Sequence, residues 1–362
     1  MSSFSDLAVS LQKGYACAER DHQQELLNTL TANSGFQNLL RTNQLAKTIL
    51  GLTDSMNAYN NPEWQEQAIE IIIASDVYSG VERREREQKE GKGDQNLGYT
   101  DFLVLELLHW FRHKFFKWVN KPDCDRCGNA DQDQIEPAGN APPATREEIQ
   151  GRAAGVEIYK CKKCQEQIRF PRLNNPSSLL KSRRGRCGEW NNCFLLLLKS
   201  LDIKCRSVWN SEDHVWSEFY SESLQRWVHL DSCEDAFDNP HLYNRGWAKK
   251  MSYVFGFGED YAIDLSEKYI CKDLDRALPR NKIDESSLST VFRYVNAKRW
   301  ASETDDTGLY KKLVQYNLEI NALTRTSSAN SFAKNQEKSQ TEMKPRESGS
   351  AEWTKNRGED GR

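Results

Sequence analysis

Three residue types that can cooperate in attack on a carbonyl carbon follow one another along the chain as Cys187, His214 and Asp231. A thiol, an imidazole and a carboxylate are the parts of a nucleophile–base–orienter triad. If the three side chains converge in the fold, the chain can form and break an acyl–sulfur bond. Their sequence contexts are Arg-Arg-Gly-Arg-Cys-Gly-Glu-Trp (183–190), Asp-His-Val-Trp (213–216) and Trp-Val-His-Leu-Asp-Ser (227–232).

The residues around Cys187 predict an exposed, activated sulfur. A helix is expected to end in a sharp turn at Gly185, and a second helix to begin at Cys187, because Gly185 and Gly188 permit a tight entry and a close approach of backbone. At a helix N-terminus the dipole and the free N–H groups stabilise a thiolate, and the same N–H groups can hold an oxyanion. Arg184 and Arg186 either add positive potential or are simply solvated.

The histidine and the aspartate are expected on the two strands of one hairpin. Alternating patterns predict strands over 214–220 and 226–231, joined by a turn, so that His214 at the start of one strand meets Asp231 at the end of the next as a cross-strand pair. His229 is the competing base, but it shares a strand with Asp231 and lies parallel to it. Further strands are predicted at 203–209 and 251–257, followed by 262–270.

Two pairs of cysteines, Cys124 with Cys127 and Cys161 with Cys164, have the spacing of zinc knuckles. Two residues between cysteines let both sulfur atoms face one ion, and four thiolates form a closed tetrahedral site for one structural Zn²⁺. The alternative is a set of unliganded thiols, or one redox Cys-x-x-Cys motif. A polar loop rich in Asp, Gln, Asn, Pro and Gly (128–155) separates the pairs.

Composition limits the protein class. A net charge of −3 over 362 residues argues against a protein that mainly grips a phosphate backbone. There is no run of about eighteen apolar residues that would span a membrane, and the first residues lack the basic start and apolar core of a signal peptide. We therefore expect a cytoplasmic protein, with the nucleus as a second compartment, whose ten cysteines serve as ligands or nucleophiles more than as disulfides.

Periodicity outlines the organisation of the chain. The densest apolar helix is predicted over Tyr99 to Val119, and helix returns over 284–322, whereas residues after Thr324 have few apolar side chains to pack. The predicted divisions are an N-terminal helical region (1–119), a zinc-binding lobe (120–172), a catalytic core (173–270), a C-terminal strand and helical region (271–323) and a low-complexity tail (324–362).

The triad motifs, Val-His-Leu-Asp-Ser-Cys-Glu (228–234) among them, resemble the core of the transglutaminase-like superfamily. With the two Cys-x-x-Cys pairs ahead of them they resemble the cytoplasmic peptide:N-glycanase family, and the segments 249–253 and 346–353 look like its compact fungal form. The resemblance covers about residues 36–300 and the tail. It implies an α+β fold with a transglutaminase-like (papain-like) cysteine hydrolase core, an antiparallel sheet, a four-cysteine zinc lobe and flanking N- and C-terminal helices.

The resemblance implies an amidase of endoplasmic-reticulum-associated degradation that releases N-linked glycans from misfolded glycoproteins. Cys187 would attack the side-chain amide of the glycosylated asparagine, His214 would move the protons, and Asp231 would hold His214. A thioester would form and hydrolyse, which leaves aspartate in the peptide.

Substrate and partner contacts are predicted less specifically. Glu234, matched to the family's Ser-Cys-Glu, would contact substrate, and Trp190 and Trp216 are further candidates, with packing under the hairpin the equal alternative for Trp216. The resemblance also implies a proteasome shuttle protein with a ubiquitin-like domain as a partner, bound through terminal helices. An apolar N-terminal stripe (Leu7, Val9, Leu11) fits that contact or ordinary core packing.

Two other functions use the same residues. A cysteine protease or a protein-crosslinking transglutaminase has the same triad chemistry, although no acidic calcium loop of the EF-hand kind occurs here. A non-catalytic DNA-repair-type binding protein would share the fold, but relatives of that kind lack the triad, and the negative charge also opposes it.

Overall fold

The computed structural model describes residues 4–271 and 275–328 of the chain. The expected tail, with its motif at 346–353, lies outside the described residues except for its first five positions. The α-helices in this part are α1 (Phe4–Ala32), α2 (Ser34–Thr42), α3 (Gln44–Ser55), α4 (Pro62–Ile73), α5 (Val77–Lys89), α6 (Tyr99–Trp110), α7 (Arg146–Gln150), α8 (Pro176–Ser182), α9 (Cys187–Ser200), α10 (Ser266–Tyr269), α11 (Glu285–Ser302) and α12 (Asp306–Ser328).

The β-strands lie mainly in the middle of the chain. They are β1 (Lys117–Trp118), β2 (Ile135–Ala141), β3 (Val156–Cys161), β4 (Gln167–Pro171), β5 (Arg184–Gly185), β6 (Cys205–Asn210), β7 (His214–Ser221), β8 (Arg226–Asp231), β9 (Ala236–Phe237), β10 (Val254–Phe257) and β11 (Ala262–Asp264).

The described residues form two compact units. The first takes in the residues up to Asn57, the segment Trp209–Glu212 and the residues from His241 onward, and the second consists of Ala58–Val208 and Asp213–Pro240. Helices from the two ends of the chain therefore share a unit, whereas the divisions predicted from sequence follow linear order.

The first unit is a layer of helices with one short hairpin. Asn33 and Asn43 cap α2 and α3, since their side chains accept hydrogen bonds from backbone N–H groups three residues on. The α11 helix buries an apolar stripe that includes Val291 and Val295. Beside it β10 and β11 pair antiparallel, and the Asn296 side chain bonds to both backbone polar groups of Ala262.

The predicted helix over 99–119 is shorter in the structure. It ends as α6 at Trp110, continues as one π-helical turn over Phe111–Phe115, and is followed by β1. The chain leaves the helix because Lys117 and Trp118 pair in parallel with Arg184 and Gly185 of β5. Most apolar residues of this segment are buried both in the helix and in the residues that follow it, so their periodicity alone placed the helix end too late.

Besides the short parallel pair of β1 and β5, the second unit contains strands of two larger sheets. The strands β6, β7, β8 and β9 lie side by side, and β7 pairs with β8 antiparallel with Ser217 opposite Leu230. These strands confirm the predictions at 203–209, 214–220 and 226–231. A three-stranded antiparallel sheet, β2-β3-β4, forms the lobe that carries the cysteine pairs.

The segment expected as a polar loop (128–155) contains regular structure. It holds β2, which pairs along β3 with a bulge between Pro137 and Gly139, and the short helix α7. Only Ile135 of β2 is buried, so the strand carries almost no alternating apolar signal. In the first unit the predicted strand over 251–257 is β10, and the segment 262–270 divides into β11 and α10.

No helix among the described residues combines the length and the apolar character that a membrane crossing requires.

Candidate active site and metal centre

The α9 helix begins at Cys187, as the glycine-flanked motif predicts. Arg186 precedes it in extended conformation, and its backbone N–H donates to the Glu189 carboxylate at 3.0 Å. The first N–H groups of a helix have no intrahelical acceptor. The Cys187 side chain is half-buried, so its sulfur lies at the positive end of the helix with partial access to solvent.

The two glycines that flank Cys187 have different roles. A Cβ atom on Gly185 would lie 2.4 Å from the Cβ of Glu189, whereas one on Gly188 would meet no atom within 4 Å. The carbonyl of Gly185 also accepts hydrogen bonds from the backbone N–H of Val119 and the indole N–H of Trp190. Gly185 is therefore required for the close turn, and the expectation of a close approach at Gly188 is not supported.

A buried ion pair fixes the residue before the nucleophile. Arg186 is only 1% exposed, and its guanidinium donates to both carboxylate oxygens of Glu157, each at 2.8 Å. The same guanidinium donates to the carbonyls of Val119 and Asn120 at 3.1 and 3.0 Å and to the hydroxyl of Tyr159 at 2.9 Å. Bidentate pairing of this kind has a strict geometry, so the backbone just before Cys187 has little freedom.

The charge of Glu157 depends on this pairing. Burial opposes ionisation, but the hydrogen bonds and charges of Arg186 outweigh it and lower the pKa of Glu157 to about 2. Because the folded pKa lies below the unfolded value of about 4.3, the pair contributes stability above that value. The contribution is lost as pH falls towards 2.

A second arginine extends the network to the first turn of α9. Arg172 donates to Glu189 at 2.7 and 3.1 Å and to Glu157 at 3.1 Å. The Glu189 carboxylate thus accepts hydrogen bonds from the Arg172 guanidinium and from the backbone N–H of Arg186. We did not predict these carboxylates from sequence. The one available signal was a glutamate three residues after Arg186, at the position where a first-turn carboxylate caps a helix.

His214 and Asp231 are in contact, as the hairpin predicts. His214 Nε2 lies 3.0 Å from Asp231 Oδ2, and the other carboxylate oxygen accepts the backbone N–H of Cys233 at 2.8 Å. The imidazole also hydrogen-bonds to the Cys187 side chain, which leaves Nδ1 for the sulfur. The structure brings all three predicted triad residues together.

The contact between His214 and Asp231 is diagonal rather than directly opposite. Ser217 pairs with Leu230 across the hairpin, and continuing that register would set Trp216, not His214, opposite Asp231. Side chains two positions apart on neighbouring strands share a face and remain within reach when one is long. The predicted cross-strand pair is therefore formed, with Asp231 two residues before the position directly opposite His214.

His214 is held in its charged form. Burial opposes the charge of its imidazolium, but hydrogen bonds and charges from Asp231 and Cys187 outweigh burial and raise the pKa of His214 to about 9. At neutral pH the ring therefore carries a proton on each nitrogen, with Asp231 as acceptor at one and the sulfur at the other. A protonated imidazole can give a proton to a leaving nitrogen.

Asn191 ties the nucleophile's helix to the histidine's strand. Its side chain accepts from the Ser217 hydroxyl at 2.5 Å and donates to the Ser207 hydroxyl at 3.2 Å. Asn191 lies on α9, one turn after Cys187, and Ser217 lies on the strand that begins at His214. Sequence reasoning did not identify this residue, because no pattern separates a bridging amide from an exposed one.

The two candidate tryptophans are buried. Trp190 and Trp216 are 0% and 1% exposed, and Trp190 packs edge-to-face against Phe111 and Phe116. Neither ring presents surface to a substrate in this arrangement. Glu234 is half-buried two residues beyond Ser232, in the turn that follows Asp231.

The competing base His229 and two further cysteines near the site are core residues. His229 is fully buried opposite Glu218, with its ring 6.2 Å from that of Trp216. Cys193 is fully buried in α9, and burial raises the pKa of its thiol well above the usual value. Cys233 is 2% exposed, so it does not line an open cleft.

The four paired cysteines form a compact cluster. Their sulfur atoms all lie within 4.8 Å of one another, with Cys124 and Cys164 3.5 Å apart and Cys127 and Cys161 3.7 Å apart. In a tetrahedron with Zn–S bonds of about 2.3 Å, neighbouring sulfur atoms lie about 3.8 Å apart, whereas a disulfide needs about 2.05 Å. The donor set therefore fits one tetrahedral metal ion.

The cluster sits inside the lobe's own apolar core. Ile135, Ile168 and Phe170 pack with Cys124 and Cys161. The amide of Asn129 donates to the Cys161 sulfur at 3.6 Å. Hydrogen bonds from N–H groups to sulfur are typical of metal thiolates.

Comparisons with known proteins agree with this geometry. A family model described as the transglutaminase-like superfamily matches residues 142–232. The chain is 41% identical over 332 residues to a Saccharomyces cerevisiae protein named peptide-N(4)-(N-acetyl-beta-glucosaminyl)asparagine amidase, and the match covers 91% of this chain and 90% of the yeast protein. A Rattus norvegicus protein of the same name is 43% identical over 242 residues, which cover 67% of this chain and 36% of the rat protein.

Likeness to solved structures is slight. A structure of Rad4–Rad23 crosslinked to an undamaged DNA aligns with 87% of this chain and 60% of its own, at 10% identity and a TM-score of 0.45.

Replacing Asp231 with Asn should lower the pKa of His214 towards its ordinary value. The substitution keeps the shape of the side chain but removes its charge. Burial, which disfavours the imidazolium, is then opposed by fewer interactions and lowers the pKa. In the wild type this raised pKa contributes stability that is complete below about pH 6.5 and is lost as pH rises through about 9.

An NMR titration of the histidine ring signals measures the change, with exposed His22 as the internal reference. An unchanged His214 titration in the Asp231→Asn variant would show that Asp231 does not set the charge of the base.

Proposed function

We propose a mechanism from the premise that this chain belongs to the peptide-N(4)-(N-acetyl-beta-glucosaminyl)asparagine amidase family, to which its 41% identity with the yeast protein over 91% of its length assigns it. The chain is a deglycosylating amidase with a cysteine nucleophile. It hydrolyses the bond between an N-glycan and the side chain of asparagine in a glycoprotein. We assign its physiological substrates to misfolded glycoproteins in endoplasmic-reticulum-associated degradation.

In the first half-reaction the Cys187 sulfur attacks the side-chain carbonyl carbon of the glycosylated asparagine. The backbone N–H groups at the start of α9 hold the developing oxyanion, because the helix itself does not use them. The C–N bond then breaks, and His214 gives its proton to the leaving nitrogen. The products are a thioester on Cys187 and a free glycosylamine.

In the second half-reaction water replaces the glycosylamine. The imidazole of His214 is now neutral, and its nitrogen that faces the sulfur carries no proton. This nitrogen takes a proton from water as the water oxygen attacks the thioester carbonyl. The C–S bond breaks, the sulfur leaves as thiolate beside the reformed imidazolium, and the peptide keeps an aspartate. Asp231 accepts the second imidazole N–H throughout and keeps the ring aligned.

The observation that carries this proposal is the chain of contacts from Cys187 through His214 to Asp231. The aspartate is 1% exposed, and His214 gives its buried charge a cationic neighbour. A buried carboxylate without an opposite charge is costly, so it stabilises the charged form of the neighbouring imidazole over the neutral form. The arrangement therefore serves the acid step, in which a proton must be delivered to nitrogen.

We assign substrate contact to Glu234 and not to the tryptophans. Glu234 follows the aspartate by three residues, and its backbone N–H donates to the Asp231 carbonyl at 3.2 Å, so it is placed by the same turn. Trp190 and Trp216 are buried, and their contribution is to pack beneath the helix and the hairpin.

The decisive experiment for the function is deglycosylation of a defined glycopeptide, followed by mass spectrometry. The wild type should release the intact glycan and leave a peptide about 1 Da heavier than its asparagine form, because acyl transfer through the thioester ends in aspartate. Cys187→Ala should be inactive, and Cys17→Ala, at an exposed cysteine, should match the wild type.

Cleavage of peptide bonds with the glycan still attached would favour the protease alternative. Incorporation of an amine into the peptide would favour a crosslinking transglutaminase. Salt-sensitive binding to duplex DNA without glycan release would favour the DNA-repair type of protein.

We also propose that Cys124, Cys127, Cys161 and Cys164 hold one structural Zn²⁺. Four thiolates leave no open position on the ion, so the metal supplies folding free energy to the lobe and no step of the reaction. Borderline-soft Zn²⁺ suits an all-sulfur tetrahedral site better than a hard cation does.

Elemental analysis after dialysis against zinc-free buffer should find one zinc per chain. The Cys161→Ser variant should lose it and unfold at lower temperature, since one of four ligands is gone, while Cys17→Ser should retain it. Zinc-free wild-type protein with an unchanged melting temperature would contradict a structural role.

We propose further that a proteasome shuttle protein binds the first unit at α1 and α12, and that the protein works in the cytoplasm. Support for the surface comes from a groove of about 600 Å³ that includes Leu11, Tyr15 and Val314, and from the exposure of Leu7 and Leu11, at 52% and 66%. Exposed apolar side chains in one groove favour a partner over core packing.

A Leu11→Asp variant should lose binding to the purified shuttle protein and keep its glycopeptide activity. A Leu11→Asp variant that binds normally would exclude this groove. A diffuse cytosolic signal from the fluorescently tagged chain is expected, and a vesicular one would contradict the assigned compartment.

A further inference from the structure

A second group of metal-binding side chains lies outside the triad and the cysteine cluster. His109 and His113 stand on α6 and on the π-helical turn that continues it, and Asp235 lies in the turn between β8 and β9. One ligand atom from each lies within 4.8 Å of the other two. All three residues belong to the second unit.

One nitrogen of each histidine ring approaches the same carboxylate oxygen. The Asp235 oxygen Oδ2 lies 2.8 Å from Nδ1 of His109 and 3.1 Å from Nε2 of His113. The histidines therefore turn different ring nitrogens towards the same oxygen, and their ring centroids are 4.4 Å apart. Histidines four residues apart share a helix face, and the carboxylate comes from more than a hundred residues further along the chain.

This group of side chains can hold a metal ion as well as form hydrogen bonds. One carboxylate oxygen with two imidazoles is the N,N,O donor set of many transition-metal sites. Metal–ligand bonds of about 2.0–2.1 Å would set the donor atoms roughly 3.3 Å apart, and the two N···O distances here are 2.8 and 3.1 Å. The side chains of His109, His113 and Asp235 are 55%, 46% and 27% exposed, which leaves room for water as a fourth ligand.

The surroundings do not oppose a cation. The ammonium of Lys114, the residue after His113, pairs with Asp76, and the guanidinium of Arg112 lies over the Trp190 ring at 5.8 Å from its centroid. Both positive charges next to the histidines in sequence are thus engaged elsewhere. Asp235 has a φ of 54°, in the left-handed region that aspartate tolerates better than most residues.

We propose that His109, His113 and Asp235 bind a second divalent transition-metal ion, Zn²⁺ or a similar borderline cation, with water at the open position. With three protein ligands instead of four, and no thiolate, this site binds more weakly than the cysteine centre. Ca²⁺ and Mg²⁺, which take six or more oxygen ligands, are excluded by the two imidazoles.

Occupation of this site would act on the substrate side of the active site. Asp235 follows Glu234, to which we assign substrate contact, and lies four residues after Asp231. A metal that joins Asp235 to α6 would fix the turn that carries Glu234. The bound ion would therefore alter the affinity for glycopeptide more than the chemical step.

Equilibrium dialysis of the zinc-loaded full chain against Zn²⁺, followed by metal analysis, tests the proposal. The wild type should bind a second Zn²⁺ ion per chain when free Zn²⁺ is in the micromolar range. His109→Ala and His113→Ala should each weaken binding of that second ion by at least about tenfold, since losing even an outer-shell partner costs 10–100-fold. Both residues are exposed, so neither variant should affect folding.

Two controls make the result specific. His22→Ala removes an exposed histidine on α1 and should keep the second equivalent, and Cys187→Ala should keep it as well, which separates the site from the catalytic thiol. A wild-type chain that stops at one zinc would overturn the proposal. A second zinc that persists in both His109→Ala and His113→Ala would also overturn it.

Discussion

The buried ion pair between Arg186 and Glu157 is the interaction on which the active site depends. Two opposite charges that leave water are tolerated only when they are paired and hydrogen-bonded, and this pair satisfies both conditions with partners from several segments. Arg186 immediately precedes Cys187, so whatever fixes its guanidinium and backbone also fixes the nucleophile at the start of α9. Breaking such a pair costs about 3–5 kcal/mol, because one buried charge is left without compensation.

The same pair links the cysteine cluster to the chemistry. Glu157 and Cys161 both lie on β3. The Glu157 carboxylate near the beginning of this strand binds Arg186, and Cys161 at its end belongs to the cysteine cluster. If the four cysteines bind a metal, as we propose, that metal holds the strand that presents the Glu157 carboxylate. A structural metal would then support the position of Cys187 although it takes no part in bond making.

Local signals in the sequence predicted much of this site, but they did not predict its long-range polar contacts. The start of α9 at Cys187 and the hairpin of His214 and Asp231 follow from glycine placement and strand alternation, which act over a few residues. The Glu157 and Arg172 contacts join segments about 15–30 residues apart, and no periodicity marks a buried charge in advance. The strand β2 was missed for a different reason, because Ile135 is its only buried residue and it therefore shows almost no apolar alternation.

The Glu157 carboxylate positions Cys187 from a distance, and kcat/KM for glycopeptide release is the most direct test of this role. Glu157→Gln keeps the shape of the side chain and removes its charge, and Glu136→Gln makes the same change at an exposed site of the neighbouring strand β2. Glu157→Gln should lower kcat/KM about a hundredfold, as small misplacements of a reacting group do, while Glu136→Gln should match the wild type. Equal kcat/KM values for the two variants, in folded protein, would show that the Glu157 charge does not position Cys187.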